Sequence, residues 1–134
     1  MKHRLAIDAQ PGEYVVARLP ADAPVPAGLL EHQPTVLISV TRTPGELSII
    51  CPAALVPEGA AVEAGWRLLT VRGPLAFTLT GIIAAISSEL AAAGVALFGM
   101  STFDTDHVLV RSDEFGRAVA ALRASGHEVV ADVD

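Results

Sequence analysis

The chain has 134 residues, enough for one ordinary domain or two very small ones. Half of it is apolar (51%), and at 18% charged residues it is too poor in charge for a disordered chain. The net charge of −6, with Lys2 the only lysine and eight scattered arginines, argues against general nucleic-acid binding, which needs clustered cations against phosphate.

Cys51 is the only cysteine, so no internal disulfide can form, which fits a reducing cytosol. The N-terminal segment MKHRLAIDAQ carries charges but no apolar core, so no signal peptide is expected and the expected location is cytoplasmic.

Along the chain, Tyr14 to Leu19 reads as the first clear strand. Pro24, Pro26 and Pro34 then leave room for only a short turn around Ala27 to Glu31. Two apolar strands, through Val40-Thr41 and Ile49-Ile50, flank a polar turn, and Pro52 and Pro57 shorten the segment after Ile50. Trp66 to Val71 is the next strand, ended by Gly73-Pro74.

From Leu79, apolar residues recur at Ile82, Ile83, Ile86, Leu90 and Ala93, steps that bury one face of a helix. Gly94 fits the position just past its end. Val95 to Met100 is a nearly continuous apolar run, as in an inner strand; Thr102 to Thr105 turns the chain and His107 to Val110 returns it. Ser112 is placed to cap a second helix, with Asp113 and Glu114 at its positive end. Phe115, Ala118, Val119 and Leu122 share one face of that helix, Gly126 ends it, and His127 to Val130 is the last strand.

Thr78 to Met100 is long enough to span a bilayer and holds one charge, Glu89. Ser87, Ser88 and Glu89 interrupt it and Gly94 divides it, so a helix and a strand are expected and no membrane segment.

The order strand, helix, strand, strand, helix, strand is a split βαβ with both helices on one face of an antiparallel sheet. The first half looks like a reduced copy: shifted by 60 positions, Val40-Thr41 falls on Met100-Ser101, Glu46 on Asp106 and Ile49-Ile50 on Leu109-Val110. The expected fold is therefore α+β, with two ferredoxin-like βαββαβ units in tandem: residues 1–62, degenerate, and 63–134, complete.

The segments ELSIICP (Glu46 to Pro52), GWRLLTVRGPLAFTLTGI (Gly65 to Ile82), STFDTDHVLV (Ser101 to Val110) and ALRASGHEV (Ala121 to Val129) resemble the ACT-domain superfamily. More closely, the chain looks like bacterial tandem ACT-like proteins related to the cytosolic arginine sensors. The resemblance implies a ligand-binding module whose ligand, often an amino acid, sits between ACT units. By the same resemblance Thr102, Phe103 and Asp106 match ligand-contacting positions, and Phe77, Thr80, Gly81 and Ile82 match a loop that closes over the ligand.

The residue types suit that role. A free amino acid presents a carboxylate and an ammonium on neighbouring atoms. Thr80, Gly81 and Ile82 stand at or near a helix start, where unpaired N–H groups and a positive dipole favour a carboxylate. Asp106 would pair with the ammonium, Thr102 would add a hydrogen bond and Phe103 would cover aliphatic carbons. Without the family context Asp104 and Asp106 read first as turn formers, Gly81 as a packing glycine, Thr78 or Thr80 as a helix cap and Phe103 as core.

No catalytic set is expected. His3, His32, His107 and His127 lack metal-ligand spacing, and His107 faces the opposite side of a strand from Asp106. Cys51, between an apolar strand and Pro52, reads as a buried inert thiol. The expectation is a non-enzymatic regulatory module without cofactor or metal. By the resemblance it binds a small molecule, an amino acid; a homodimer is the expected assembly. The alternative is a protein-interaction or dimer-assembly unit with no ligand.

Overall fold

The computed structural model describes residues 4–31, 35–73 and 81–131. In chain order these form strands β1 (Ala6–Ala9), β2 (Tyr14–Leu19), β3 (Ser39–Thr43), β4 (Glu46–Pro52) and β5 (Ala61–Val71), helix α1 (Ile82–Ala92), strands β6 (Leu97–Ser101) and β7 (Asp106–Arg111), helix α2 (Phe115–Ala124) and strand β8 (Glu128–Val130). Short 3-10 turns occupy Leu29–Glu31, Ala53–Leu55 and Ser112–Glu114. The class is mixed α+β, as expected.

Contacts group Gly12–Gly65 into one unit, and residues up to Pro11 with those from Trp66 onward into another. This grouping differs from the expected cut after residue 62 in placing the first residues with those from Trp66 onward, through β1. In that strand Ile7 (1% exposed) and Ala9 are buried and alternate with half-buried Ala6 and Asp8. β1 runs antiparallel to β5, with Ile7 opposite Val71, and parallel to β8, with Ile7 opposite Val129. It therefore lies between the first and last strands of the βαββαβ order, and its pairing with β8 breaks the expected all-antiparallel pattern.

On the other side of β5 lies β7, and beyond β7 lies β6, both antiparallel. The apolar run of β6 suggests an inner strand, yet among the described strands it pairs only with β7 and is an edge. Its Phe98 stays 39% exposed and meets the Trp66 ring edge-on at 6.3 Å.

One face of this sheet carries both helices. Ile82, Ile86 and Leu90 of α1 and Ala118, Val119 and Leu122 of α2 pack on Ile7, Leu69, Val71, Val108, Val110 and Val129. These are the helical spacings seen in the sequence, and burial of this stripe supplies the driving force for both helices. The expected Ser112 cap is not made: Ser112 opens a 3-10 turn, α2 starts three residues later, and the Ser112 hydroxyl finds no partner among the described residues.

Buried His127 fastens the start of this unit to its end. Its Nδ1 accepts the Leu5 N–H at 3.1 Å, which leaves the ring proton on Nε2 to be donated to Glu89 of α1 at 2.8 Å. The lone charge of the apolar Thr78–Met100 run is thus a partner for a buried ring.

In the Gly12–Gly65 unit, β3, β4 and β2 lie in that order and antiparallel. Val15 and Ala17 of β2 and Leu47, Ile49 and Cys51 of β4 form its core with Leu29. The two 3-10 turns stand where helices would be, as the prolines dictate. Faces do not survive the shift of 60 between halves. Ile49 points into its core, whereas Leu109, between core residues Val108 and Val110, points away from the helices. A shift of 59 keeps the faces, setting Ile49 on Val108 and Leu47 on Asp106.

Because β1 is an interior strand, Ile7→Ala is expected to cost about 2–5 kcal/mol, as for other buried truncations. Urea unfolding followed by Trp66 fluorescence measures it, and a loss under about 0.5 kcal/mol, the range of a surface change, would contradict the interior position of Ile7.

Candidate functional site

Three segments meet at one end of the larger unit: the last residues of β5, the start of α1, and the hairpin between β6 and β7. Topology requires this, since β5 and β6 run the same way, each antiparallel to β7. The Thr105 hydroxyl adds a direct link by donating to the Val71 carbonyl at 2.7 Å.

α1 begins behind Gly81, whose φ of +81° lies in the left-handed region open to glycine at no steric cost. No side chain caps this end, and a Cβ at position 81 would meet nothing within 4 Å, so the approach to the first turn is open among the described residues. The N–H groups of that turn have no carbonyl inside the helix to bind. Ile82 is 5% exposed and its side chain belongs to the core, so only its backbone can serve a ligand. Phe77 and Thr80 lie outside the described residues.

Ser101, the last residue of β6, stands opposite Asp106, the first of β7. The Ser101 hydroxyl donates to Asp106 Oδ1. Two pairs further into the sheet, Gly99 stands opposite Val108, and Ile83 Cδ1 of α1 would be 3.5 Å from a Cβ on Gly99. Strand alternation thus puts Ser101 and Asp106 on the helix face, directly beyond the residue on which the first turn of α1 rests. A carboxylate and a set of helix-start amides with no partner inside the helix share one face and one end. Ser101 is absent from the expected site residues; its role depends on register, and only its place ahead of a polar turn hints at it.

The hairpin tip is tied internally. The Thr102 N–H and hydroxyl both donate to the Thr105 carbonyl, at 2.8 and 3.2 Å. Phe103 is 79% exposed, which rules out the core reading of that residue. On the opposite face His107 lies 3.0 Å from Thr70 Oγ1 through Nδ1 and 3.4 Å from Thr102 Oγ1 through Nε2. Since the Thr102 proton is given to Thr105, Nε2 donates to Thr102 and Nδ1 accepts from Thr70: a neutral ring with both nitrogens used. Burial pushes the His107 pKa below its ordinary value, against a smaller opposing pull from Asp106. Asp106 and His107 point to opposite faces and form no dyad.

Among the described residues no cluster of His, Cys, Asp and Glu could hold a metal. Cys51 is buried, and burial raises its thiol pKa, so it stays protonated.

A family model described as ACT domain matches residues 61–124, and a second, described as an N-terminal domain, matches residues 12–59. The segment matched to "Cytosolic arginine sensor for mTORC1 subunit 1" of Homo sapiens is 41% identical over 59 residues. It takes in 43% of this chain but only 18% of the sensor, so the chain covers under a fifth of the curated relatives it matches. The crystal structure of protein Atu0741 from Agobacterium tumefaciens is 34% identical and superposes with a TM-score of 0.88, covering 99% of this chain and 97% of that one. The regulatory subunit of aspartate kinase from Thermus thermophilus, at 9% identity, shares the fold with a TM-score of 0.61 over 92% of this chain and 98% of that one.

The His107 environment gives a signed pH dependence. The folded state disfavours the protonated ring, so the unfolded chain binds more protons once pH falls below 6.5. Stability from this group is full above that value and is lost as pH drops toward the depressed folded pKa. His107→Gln is expected to flatten the fall in urea midpoint below pH 6.5 relative to the unaltered chain; parallel curves would exclude a burial-depressed His107.

Proposed function

The chain belongs to the ACT-domain superfamily, and we propose that it is a regulatory module that binds a small molecule, an amino acid, at the α1 end of its larger unit and performs no catalysis. The observation that carries this reading is the open start of α1 beside the Ser101–Asp106 pair on the same face. The ligand carboxylate takes the first-turn amides at Gly81 and Ile82, where the helix dipole is positive. Its ammonium takes Asp106, which already accepts from Ser101 and retains a second oxygen. Phe103 closes over aliphatic carbon, Phe77 and Thr80 supply the covering loop, and Thr102 acts by holding the hairpin.

We read Gly12–Gly65 as a second, reduced ACT-type unit. With faces kept, Leu47 (0% exposed) occupies the place of Asp106, so that unit has no matching ammonium partner. A second copy of the chain completes the site, and the assembly is a homodimer joined through the β6 edge, whose outer backbone groups pair with no described strand. The name of the matched sensor makes arginine the first ligand to test and favours a cytoplasmic setting. Among the described residues, no helix is long and apolar enough to cross a membrane.

Calorimetric titration with the standard amino acids, arginine first, is expected to show saturable binding to at least one. Asp106→Asn is expected to weaken it at least tenfold, about 1.4 kcal/mol. Unchanged affinity removes Asp106 from the site. Light scattering of the purified chain is expected to give a dimer. A dimer that answers to no amino acid would favour the assembly-unit reading instead.

A further inference from the structure

The Gly12–Gly65 unit carries its own groove, of about 270 Å³, lined by residues of β2, β4 and β5. Register fixes its floor. Arg18 of β2 stands opposite Ser48 of β4. Ala17, Leu47 and Ile49 point into the core, so alternation sends Val16, Arg18, Glu46 and Ser48 to the other face, where all four line the groove. Val62 of β5, 43% exposed, adds an apolar wall.

The side chains of Arg18, Glu46 and Ser48 bond to nothing among the described residues. The Arg18 guanidinium and the Glu46 carboxylate thus border the same small space without closing on each other as an ion pair, and Glu63 lines it with a second carboxylate. A molecule seated between them meets a planar donor fork, a hydroxyl and a carboxylate acceptor, with aliphatic contact on two sides. Guanidinium geometry matches a carboxylate through two parallel N–H bonds. The carboxylate of Glu46 suits an ammonium. The volume falls just under the roughly 300–1,000 Å³ of drug-sized sites, which selects a small metabolite.

We propose that this groove binds a metabolite-sized zwitterion, its carboxylate on Arg18 and Ser48, its ammonium on Glu46 and its aliphatic part against Val16 and Val62. The site is separate from the one at α1, shares no residue with it and does not depend on it.

The test is amide-shift titration of the full ¹⁵N-labelled chain with γ-aminobutyrate and L-valine, which differ in charge separation. Butyrate and butylamine, each bearing one of the two charges, are the controls. Saturable shifts at Arg18, Ser48 and Val62 are expected with at least one zwitterion, and at least tenfold weaker binding of both controls. Arg18→Gln and Glu46→Gln, both at solvent-accessible positions, are each expected to weaken the zwitterion at least tenfold, while Asp106→Asn leaves these shifts in place. The proposal is overturned if no groove amide moves up to roughly 10 mM, ample to fill a site of millimolar Kd. It is equally overturned if the controls bind as well as the zwitterions, or if both groove variants bind them unchanged.

Discussion

In β7, Val108 and Val110 go to the core beneath α1 and α2, while His107 and Leu109 go to the other face. A strand offers no third option, because successive side chains alternate. Asp106 is even-numbered with the two valines, so the register that buries them also delivers its carboxylate to the helix face. The same register sets Ser101 opposite it and Gly99 two pairs inward, under Ile83. A slip of one residue would carry all of this to the wrong side together. The position of the carboxylate is therefore a by-product of packing, and the hydrophobic pattern of β7 protects it.

Much of this is legible in the sequence because it is local. The periodicity through Ile82, Ile86 and Leu90 marks α1, and that through Ala118, Val119 and Leu122 marks α2. β2 falls at Tyr14–Leu19, where its strand pattern lies, and the prolines foretell the 3-10 turn at Leu29–Glu31. The features that escape a reading of the sequence are those that depend on distant partners. β1 is four residues long with one large apolar side chain, and its neighbours, Val71 and Val129, are far along the chain. No window of sequence contains that pairing. The apolar run of β6 reveals its composition but not its rank, since an edge strand and an inner strand differ in neighbours rather than in residues.

The candidate site divides along the same line. A glycine at a helix start and an aspartate at the end of a polar turn are local signals, but it is the family resemblance that singles out Gly81 and Asp106 among such residues. The Ser101 hydroxyl on Asp106, and the use of the Thr102 hydroxyl on Thr105 and His107, require the hairpin register. The shift of 60 between the halves fails for a related reason. Apolar strands resemble each other at neighbouring shifts, and only the choice of buried face separates 59 from 60.

α1 is anchored asymmetrically, and that bears on how a regulatory module could work. Its first turn has a left-handed glycine and no side-chain cap among the described residues. Its third turn carries Glu89, held at 2.8 Å by a histidine that also takes the Leu5 N–H. Leu5 leads directly into β1, and His127 into β8. A ligand adding bonds at the first turn would pull on a helix that this histidine ties to those two strands. Truncating that tie would leave a buried ring or an unpaired buried amide, a loss of about 1–3 kcal/mol for an unsatisfied group. The histidine thus holds α1 to the residues that open β1 and β8.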